Sequence, residues 1–276
     1  MTDQNSVAQP LWRWLAALAV LVNIAVSYFS NTRQFNGQSM GEVSAKYTTL
    51  LTPAGYAFSI WGLIFFSLLV YAVWQLLPGQ RANPLPDEVA KPLLVANLGC
   101  AAWVLLFAHE QILASVLTML AILAATVLAY GTARDLIRLQ GVAPRWVSIP
   151  FALFLGWILV ASVLNIAIGL HVAGLDVSLE LSTMMAYGVL ALMLGLVLVL
   201  TRVFQERTLP LVAAWALVGI WVARLSEHPD LAWVAMAGAV VVAILGLVLA
   251  QQGRKLQPWE VASAAAAEAA RQQASH

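Results

Sequence analysis

Eight apolar stretches, each long enough to cross a bilayer as a helix, dominate the chain. They run over residues 11–29, 56–77, 89–108, 112–132, 147–170, 181–203, 209–225 and 231–251. A crossing helix needs about 20 mostly apolar residues. The runs are continuous, which excludes an outer-membrane barrel, whose strands alternate at period two. Helix punctuation falls between them: Pro53 and Gly55, Pro78-Gly79, Pro84 and Pro86, Gly141 to Pro144, Gly174, Pro210 and Pro229. The fold class is therefore all-α, a polytopic membrane helical bundle of about eight transmembrane helices. With 62% apolar and 10% charged residues, the chain is neither a soluble globular protein nor a disordered one. Its first partner is the lipid bilayer.

Charge sets the orientation. If the N-terminus is placed inside, eleven of the fourteen Lys and Arg fall on that side, and only Arg33, Lys46 and Arg224 fall outside. Positive residues collect in cytoplasmic loops, so both termini are expected in the cytoplasm, across a bacterial inner membrane. A cleaved leader ending near Ala25-Val26-Ser27 fits poorly, because only Asp3 and the late Arg13 precede the apolar run. A formal charge of +1 offers no basic surface for nucleic acid.

No charged residue sits at mid-membrane, which argues against a proton-coupled pump or a voltage sensor. Spans three and four are joined by little more than His109-Glu110-Gln111, a tight outer hairpin. His109 and Glu110 are read either as a polar lid over a ligand or as a solvated turn. Arg224, with Glu227 and His228, reads as a residue snorkelling to the interface. Asn23, Asn97 and Asn165 lie within spans, where an amide must find a partner on a neighbouring helix or on a ligand. Of eleven tryptophans, Trp12, Trp14, Trp146 and Trp259 lie near inner span ends and read as interfacial anchors. Trp61, Trp103, Trp157 and Trp221 lie within spans, where indoles either pack or line a cavity for a flat ligand.

Catalytic chemistry has no visible constellation. There is no P-loop, GxGxxG, HExxH or nucleophile elbow. One cysteine, Cys100, and four scattered histidines (109, 171, 228 and 276) offer no metal site.

The loop into span two reads Thr-Pro-Ala-Gly-Tyr-Ala-Phe-Ser-Ile-Trp-Gly-Leu-Ile-Phe over residues 52–65. It resembles the Pro-Pro-x-Trp-x-Phe…Trp-x-x-Leu-Tyr signature of the TspO/MBR family, the tryptophan-rich sensory proteins and translocator-protein relatives. Pro53, Tyr56, Phe58, Trp61 and Phe65 take the matching positions. Span three offers Trp103 and Phe107. Span five offers Leu153-Phe-Leu-Gly-Trp157, Ala161 and Leu164-Asn165 at the family's spacing. Ala54 stands where the family has a second proline, and three spans follow the family's five. The chain is thus similar to an extended branch. It divides into a five-helix ligand-binding bundle at 1–174, three additional helices at 175–252 and a cytoplasmic tail at 253–276.

The resemblance implies a pocket for a planar hydrophobic molecule: a tetrapyrrole such as protoporphyrin IX or haem, or a sterol. The tetrapyrrole would be ligand, with no resident cofactor required. The implied ligand-binding residues are Trp61, Trp103, Trp157, Asn165, Phe58, Tyr56, Phe107 and Ala161. Pro53, His109 and Glu110 stand at the lid or mouth, under the 30–55 loop. Helical geometry agrees in part: Trp157, Ala161 and Asn165 share one face at 100° per residue, as do Trp103 and Phe107. Tyr56 and Trp61 are about 140° apart in an unbroken helix. So Tyr56 precedes the regular helix, or only one of the two lines the pocket. Two other functions stand beside binding, sensing or transport. One is porphyrin breakdown by an enzyme. The other is a scaffold role, in which Gly188, Ala191, Gly195, Gly219, Ala223, Gly238 and Ala239 dock a second copy or another membrane protein.

Overall fold

Each apolar run becomes a helix, and the polar punctuation sets its ends. The computed structural model describes residues 9–32, 35–38, 40–47, 49–174 and 179–251. The tail at 253–276, with Trp259 and His276, lies outside the described residues. The α-helices are α1 (Gln9–Thr32), α2 (Met40–Lys46), α3 (Ile60–Leu76), α4 (Pro84–Ala108), α5 (Ile112–Gln140), α6 (Ile149–Val172), α7 (Leu179–Phe204), α8 (Thr208–Arg224) and α9 (Pro229–Gln251). No strand occurs among the described residues. Seven spans are long and apolar enough to cross a membrane. The eighth, α8, has 17 residues and measures about 26 Å at 1.5 Å per residue, slightly short of a hydrocarbon core of about 30 Å. The protein is an integral membrane protein built as an all-α bundle.

Local chemistry explains the boundaries. Asn83 caps α4, its Oδ1 accepting from Leu85 N at 3.0 Å, with proline in the first turn. Proline tolerates that position because the first turn's N–H groups have no helical acceptor. Pro150, Pro210 and Pro229 open α6, α8 and α9 in the same manner. Gly141 ends α5 in the left-handed region, at φ 62°, where a side chain would be strained.

Five helices close a ring. α1 packs on α3 and α4, α4 on α5, α5 on α6, and α6 returns to α3. The last three helices lie against one wall of it: α8 packs on α6, α9 on α8, and α7 mainly on α9. Between ring and extension, the first half of α6 is covered on all sides, and every residue from 150 to 160 is buried. Lipid gives helices no hydrophobic reason to associate, so close approach through small residues must hold them. A Cβ added at Gly99 would stand 2.7 Å from Ile122 on α5, and one at Gly156 would stand 3.0 Å from Val212 on α8. At mid-bundle, Asn23 Nδ2 donates to Asn97 Oδ1 at 3.0 Å, and Asn97 Nδ2 donates to Leu93 O. These two amides bond each other across helices.

Buried arginines tie the end of the bundle at which α1 begins, here called the inner end and the opposite one the outer end. Arg13 Nε and Nη2 each reach a carboxylate oxygen of Asp87 at 2.6 Å, and its Nη1 donates to Gln80 O at 2.7 Å. Arg134 on α5 donates to Phe204 O and Gln205 O, both at 2.8 Å, in the turn between α7 and α8. Its guanidinium lies 3.7 Å from Glu206. That turn thereby stands at the inner end, as does the C-terminal part of α9, where Gly246 packs on Pro210. Both Gln9 and Gln251 therefore face the same side.

Candidate functional site

At the outer end, the chain between α1 and α3 folds over the ring. Helix α2 lays Val43 and Tyr47 onto Phe107, Ile112, Ile168 and Trp103. It is latched by charge: Lys46 Nζ stands 2.6 Å from Glu110 Oε1, and Tyr47 OH donates to Glu110 Oε2 at 2.8 Å. Hydrogen bonds from Lys46 and Tyr47 hold the Glu110 carboxyl below the usual carboxylate range. The same bond to Glu110 pushes the Tyr47 phenol up.

Glu110 sits in a Schellman turn at the end of α4. Gln111 N donates to Leu106 O and Glu110 N to Phe107 O, each at 2.9 Å. Glu110 takes the left-handed position at φ 55°, where glycine is usual. A side chain there costs roughly 1–2 kcal/mol. The turn is thus tied to the segment between α1 and α3 through Lys46 and Tyr47. His109 is exposed, with its ring Nδ1 2.9 Å from Leu105 O.

Beneath α2 lies the first aromatic group. Trp103 and Phe107 stack, with ring centroids 5.0 Å apart at 18°. Trp103 Nε1 donates to Asn165 Oδ1 at 3.0 Å, and Ser115 Oγ lies 3.2 Å from the same oxygen. Asn165 Nδ2 donates back to Ala161 O at 3.3 Å. In the ring, α5 stands between α4 and α6, so the Trp103–Asn165 bond crosses the ring's interior.

A second group sits deeper and toward α3. Trp157 is buried and meets Phe58 edge to face, with centroids 5.7 Å apart. Trp61 stacks on Phe65 at 5.1 Å and meets Phe154 edge-on at 6.2 Å. Trp157 and Asn165 are eight residues apart, about 12 Å along α6. The sequence-derived residues thus form two clusters, joined by one face of α6. Gly55–Ser59 is a 3-10 turn, so Tyr56 precedes the regular helix. Tyr56 turns away from Trp61 to meet Trp215 of α8, centroids 5.4 Å apart.

The match to known proteins covers nearly all of this architecture. The family model described as TSPO-like protein matches residues 13–248, from the first turns of α1 through most of α9. The chain belongs to the TSPO-like protein family. No curated protein and no solved structure matches it. The match runs on through α7, α8 and α9, so in this TSPO-like protein the last three helices lie inside the family's bounds.

Those helices also reach the mouth. Trp215 Nε1 donates to Ala57 O at 2.9 Å, and Ala54 N donates to Gly219 O at 2.9 Å. Arg224, read from sequence as a snorkelling residue, is instead buried. Its Nη2 donates to Thr49 O at 3.1 Å. Sequence reasoning passed over Ser115, Tyr47 and Trp215, read Lys46 only as an outer charge and read Gly219 as a docking residue. Val43 on α2 and Tyr47 just after it, and Trp215 and Gly219 on α8, are each four apart, the helical spacing that would have found Tyr47 and Trp215.

Among the described residues, no group of three or more His, Cys, Asp or Glu side chains is placed to hold a metal ion. A cavity of about 10 Å³ lies on the far side of α6, among Val160, Leu164, Leu190, Met193 and Ile220. It is about the size of one water and is lined by none of the aromatic rings above. The aromatic side chains named above pack pairwise on one another.

Proposed function

We propose that this TSPO-like protein binds a planar hydrophobic ligand, of tetrapyrrole or sterol shape, inside its five-helix ring. Binding there serves sensing or transport. The observation that carries the reading is the Trp103–Asn165 bond across the ring interior, beneath a loop latched from outside. It places a polar anchor and a stacked aromatic pair where a flat molecule has faces to meet and one donor or acceptor to satisfy. Trp61, Phe58 and Trp157 supply further aromatic surface below. These rings contact one another, and on this reading ligand is admitted when Phe58, 39% exposed at the mouth, parts from Trp157. The protein lies in the inner membrane with both termini cytoplasmic, and reporters fused at either end should both report cytoplasm.

Protoporphyrin IX titrated into the full chain in lipid nanodiscs tests the reading. Saturable quenching of tryptophan fluorescence supports it, and quenching no greater than that of empty nanodiscs overturns it. Illumination of the bound complex in air then separates a binder from an enzyme by whether a product accumulates.

An assembly role is favoured by one observation on α7. Gly188 and Gly195 have no neighbouring side chain within contact of an added Cβ, and Ala191 between them is exposed. Small residues at such spacing let a second helix approach closely.

A further inference from the structure

We propose that α8 is the positioning element of the ligand mouth, and that Trp215, Gly219 and Arg224 set how readily the 49–58 segment releases a ligand's path into the ring. The proposal rests on the binding reading above and concerns the regulation of that same site.

The 49–58 segment is the strand of chain that carries Pro53, Tyr56 and Phe58 to the outer end. Its own turns are closed by Thr52 N–H to Thr49 O at 3.0 Å and Ala57 N–H to Ala54 O at 2.9 Å, and α8 supplies the partners that tie these turns to the bundle. Ala54 N–H goes to Gly219 O at 2.9 Å, and Ala57 C=O takes the Trp215 indole N–H at 2.9 Å. Thr49 C=O takes Arg224 Nη2 at 3.1 Å, with Thr52 C=O at 3.5 Å. One backbone carbonyl, one indole and one guanidinium of α8 are thus committed to one segment. In low-dielectric surroundings these bonds are stronger than in water.

Shape adds a second, independent observation. Gly219 is where Pro53 and Ala57 rest on α8: a Cβ there would stand 2.9 Å from the Cβ of each. The glycine is required by proximity, since any side chain would push the segment off the helix. A third observation concerns Arg224. It is buried, and its Nε has no hydrogen-bond partner. A buried unsatisfied donor is unfavourable. The arginine holds this position while its Nη2 serves the loop. Its ion pair with Glu227 at 3.3 Å involves a carboxylate that is 67% exposed and holds it weakly.

The consequence follows through Phe58. It is one residue beyond Ala57, whose carbonyl Trp215 holds, and it packs on Trp157. Moving the segment outward by a few tenths of an ångström at Gly219 moves the ring that closes the interior. The extension therefore acts on the mouth without touching the ligand.

The test uses the full chain in nanodiscs with two readouts: hydrogen exchange of the 49–58 peptide without ligand, and protoporphyrin IX affinity by fluorescence. The variants are Gly219→Ala and Arg224→Lys, with Val222→Ala, on the exposed face of α8, as control. Expected are exchange about tenfold faster in both variants, the size of losing one charge-assisted hydrogen bond, and a severalfold change in affinity or association rate. Val222→Ala should change neither. Unchanged exchange in Gly219→Ala and Arg224→Lys overturns the proposal whether or not porphyrin binds. Faster exchange with unaltered affinity and rates also overturns it, because the clamp is then structural only. Absence of porphyrin binding in the wild type overturns the binding reading, and with it this inference.

Discussion

At the inner end, Arg13 and Asp87 meet through two 2.6 Å bonds, and their side chains are only 8% and 20% exposed. At the outer end, Lys46 and Glu110 make a bond of the same length, yet their side chains are 46% and 30% exposed. The inner pair is ringed by further acceptors, the carbonyls of Gln80 and Asn83, and at the same end Arg134 of α5 holds the turn between α7 and α8. The outer pair stands in water, and the rest of the mouth is held through single hydrogen bonds to backbone atoms from α8. Ion pairs of equal length have different energetic weight in the two places, because burial removes the competing solvent and the Arg13 fork is bidentate where Lys46 makes one bond. The inner end is a fixed base; the outer end is an assembly that can release.

The largest expected effect comes from breaking the base. Arg13→Ala leaves the Asp87 carboxylate poorly solvated and should cost about 3–5 kcal/mol, read as a fall in thermal unfolding temperature in micelles. Lys46→Ala should cost far less. Equal costs would erase the distinction between the ends.

Next in size are the aromatic substitutions. Trp157→Leu and Trp61→Leu should each weaken protoporphyrin IX binding by about 1–3 kcal/mol, taking base–aromatic stacking as the analogue. Trp12→Leu, 39% exposed near the inner end beside Lys91, should leave affinity unchanged. Equal loss in all three would mean that these indoles are packing residues and nothing more.

The ring and its extension can be probed at Gly156, whose added Cβ would stand 3.0–3.4 Å from three atoms of Val212. Gly156→Ala should destabilise by about 1 kcal/mol through overpacking. Val212→Ala in the same chain should restore most of it, giving a favourable coupling in a double-mutant cycle. Additive effects would mean that α8 does not seat on α6 at this point.

The smallest effect belongs to the exposed latch and depends on pH. Because Glu110 is held below the usual carboxylate range, its contribution is complete above the ordinary carboxyl pKa and is lost as pH falls through the lowered value. Glu110→Gln should lower the unfolding temperature slightly at neutral pH. The gap from wild type should close on acidification below that range. A gap that is constant with pH would assign the loss to the turn rather than to the carboxylate.

How much of this was legible in the sequence depends on where the decision is made. Helix positions are local decisions. Apolar length and the prolines at 210 and 229 placed most span ends to within about four residues, and the short link after Ala108 declared the α4–α5 hairpin. However, α4 begins five residues before the expected 89, α5 runs eight beyond the expected 132, and α2 carried no such signal. The angle argument left two alternatives for Tyr56, and the 3-10 turn over Gly55–Ser59 places it before the regular helix. Arg224 was misread because an arginine near a span end has the same local signature whether it snorkels or is buried. The difference lies in the loop that packs on it, 172 to 175 residues away in sequence. Trp215 was overlooked for the same reason. The single aromatic wall expected from Trp61, Trp103 and Trp157 became two clusters. Helical phase says which face a residue takes, but not which ring will fill the space in front of it.

Hydrogen exchange with and without protoporphyrin IX, compared peptide by peptide on the full chain, tests the two-ended account most directly. Ligand should protect the outer segments, 40–58 and 103–115, and leave the inner segment 75–90 and the turn at 204–208 unchanged. Protection concentrated at the inner end, or spread evenly over both, would contradict a fixed base beneath a releasable mouth.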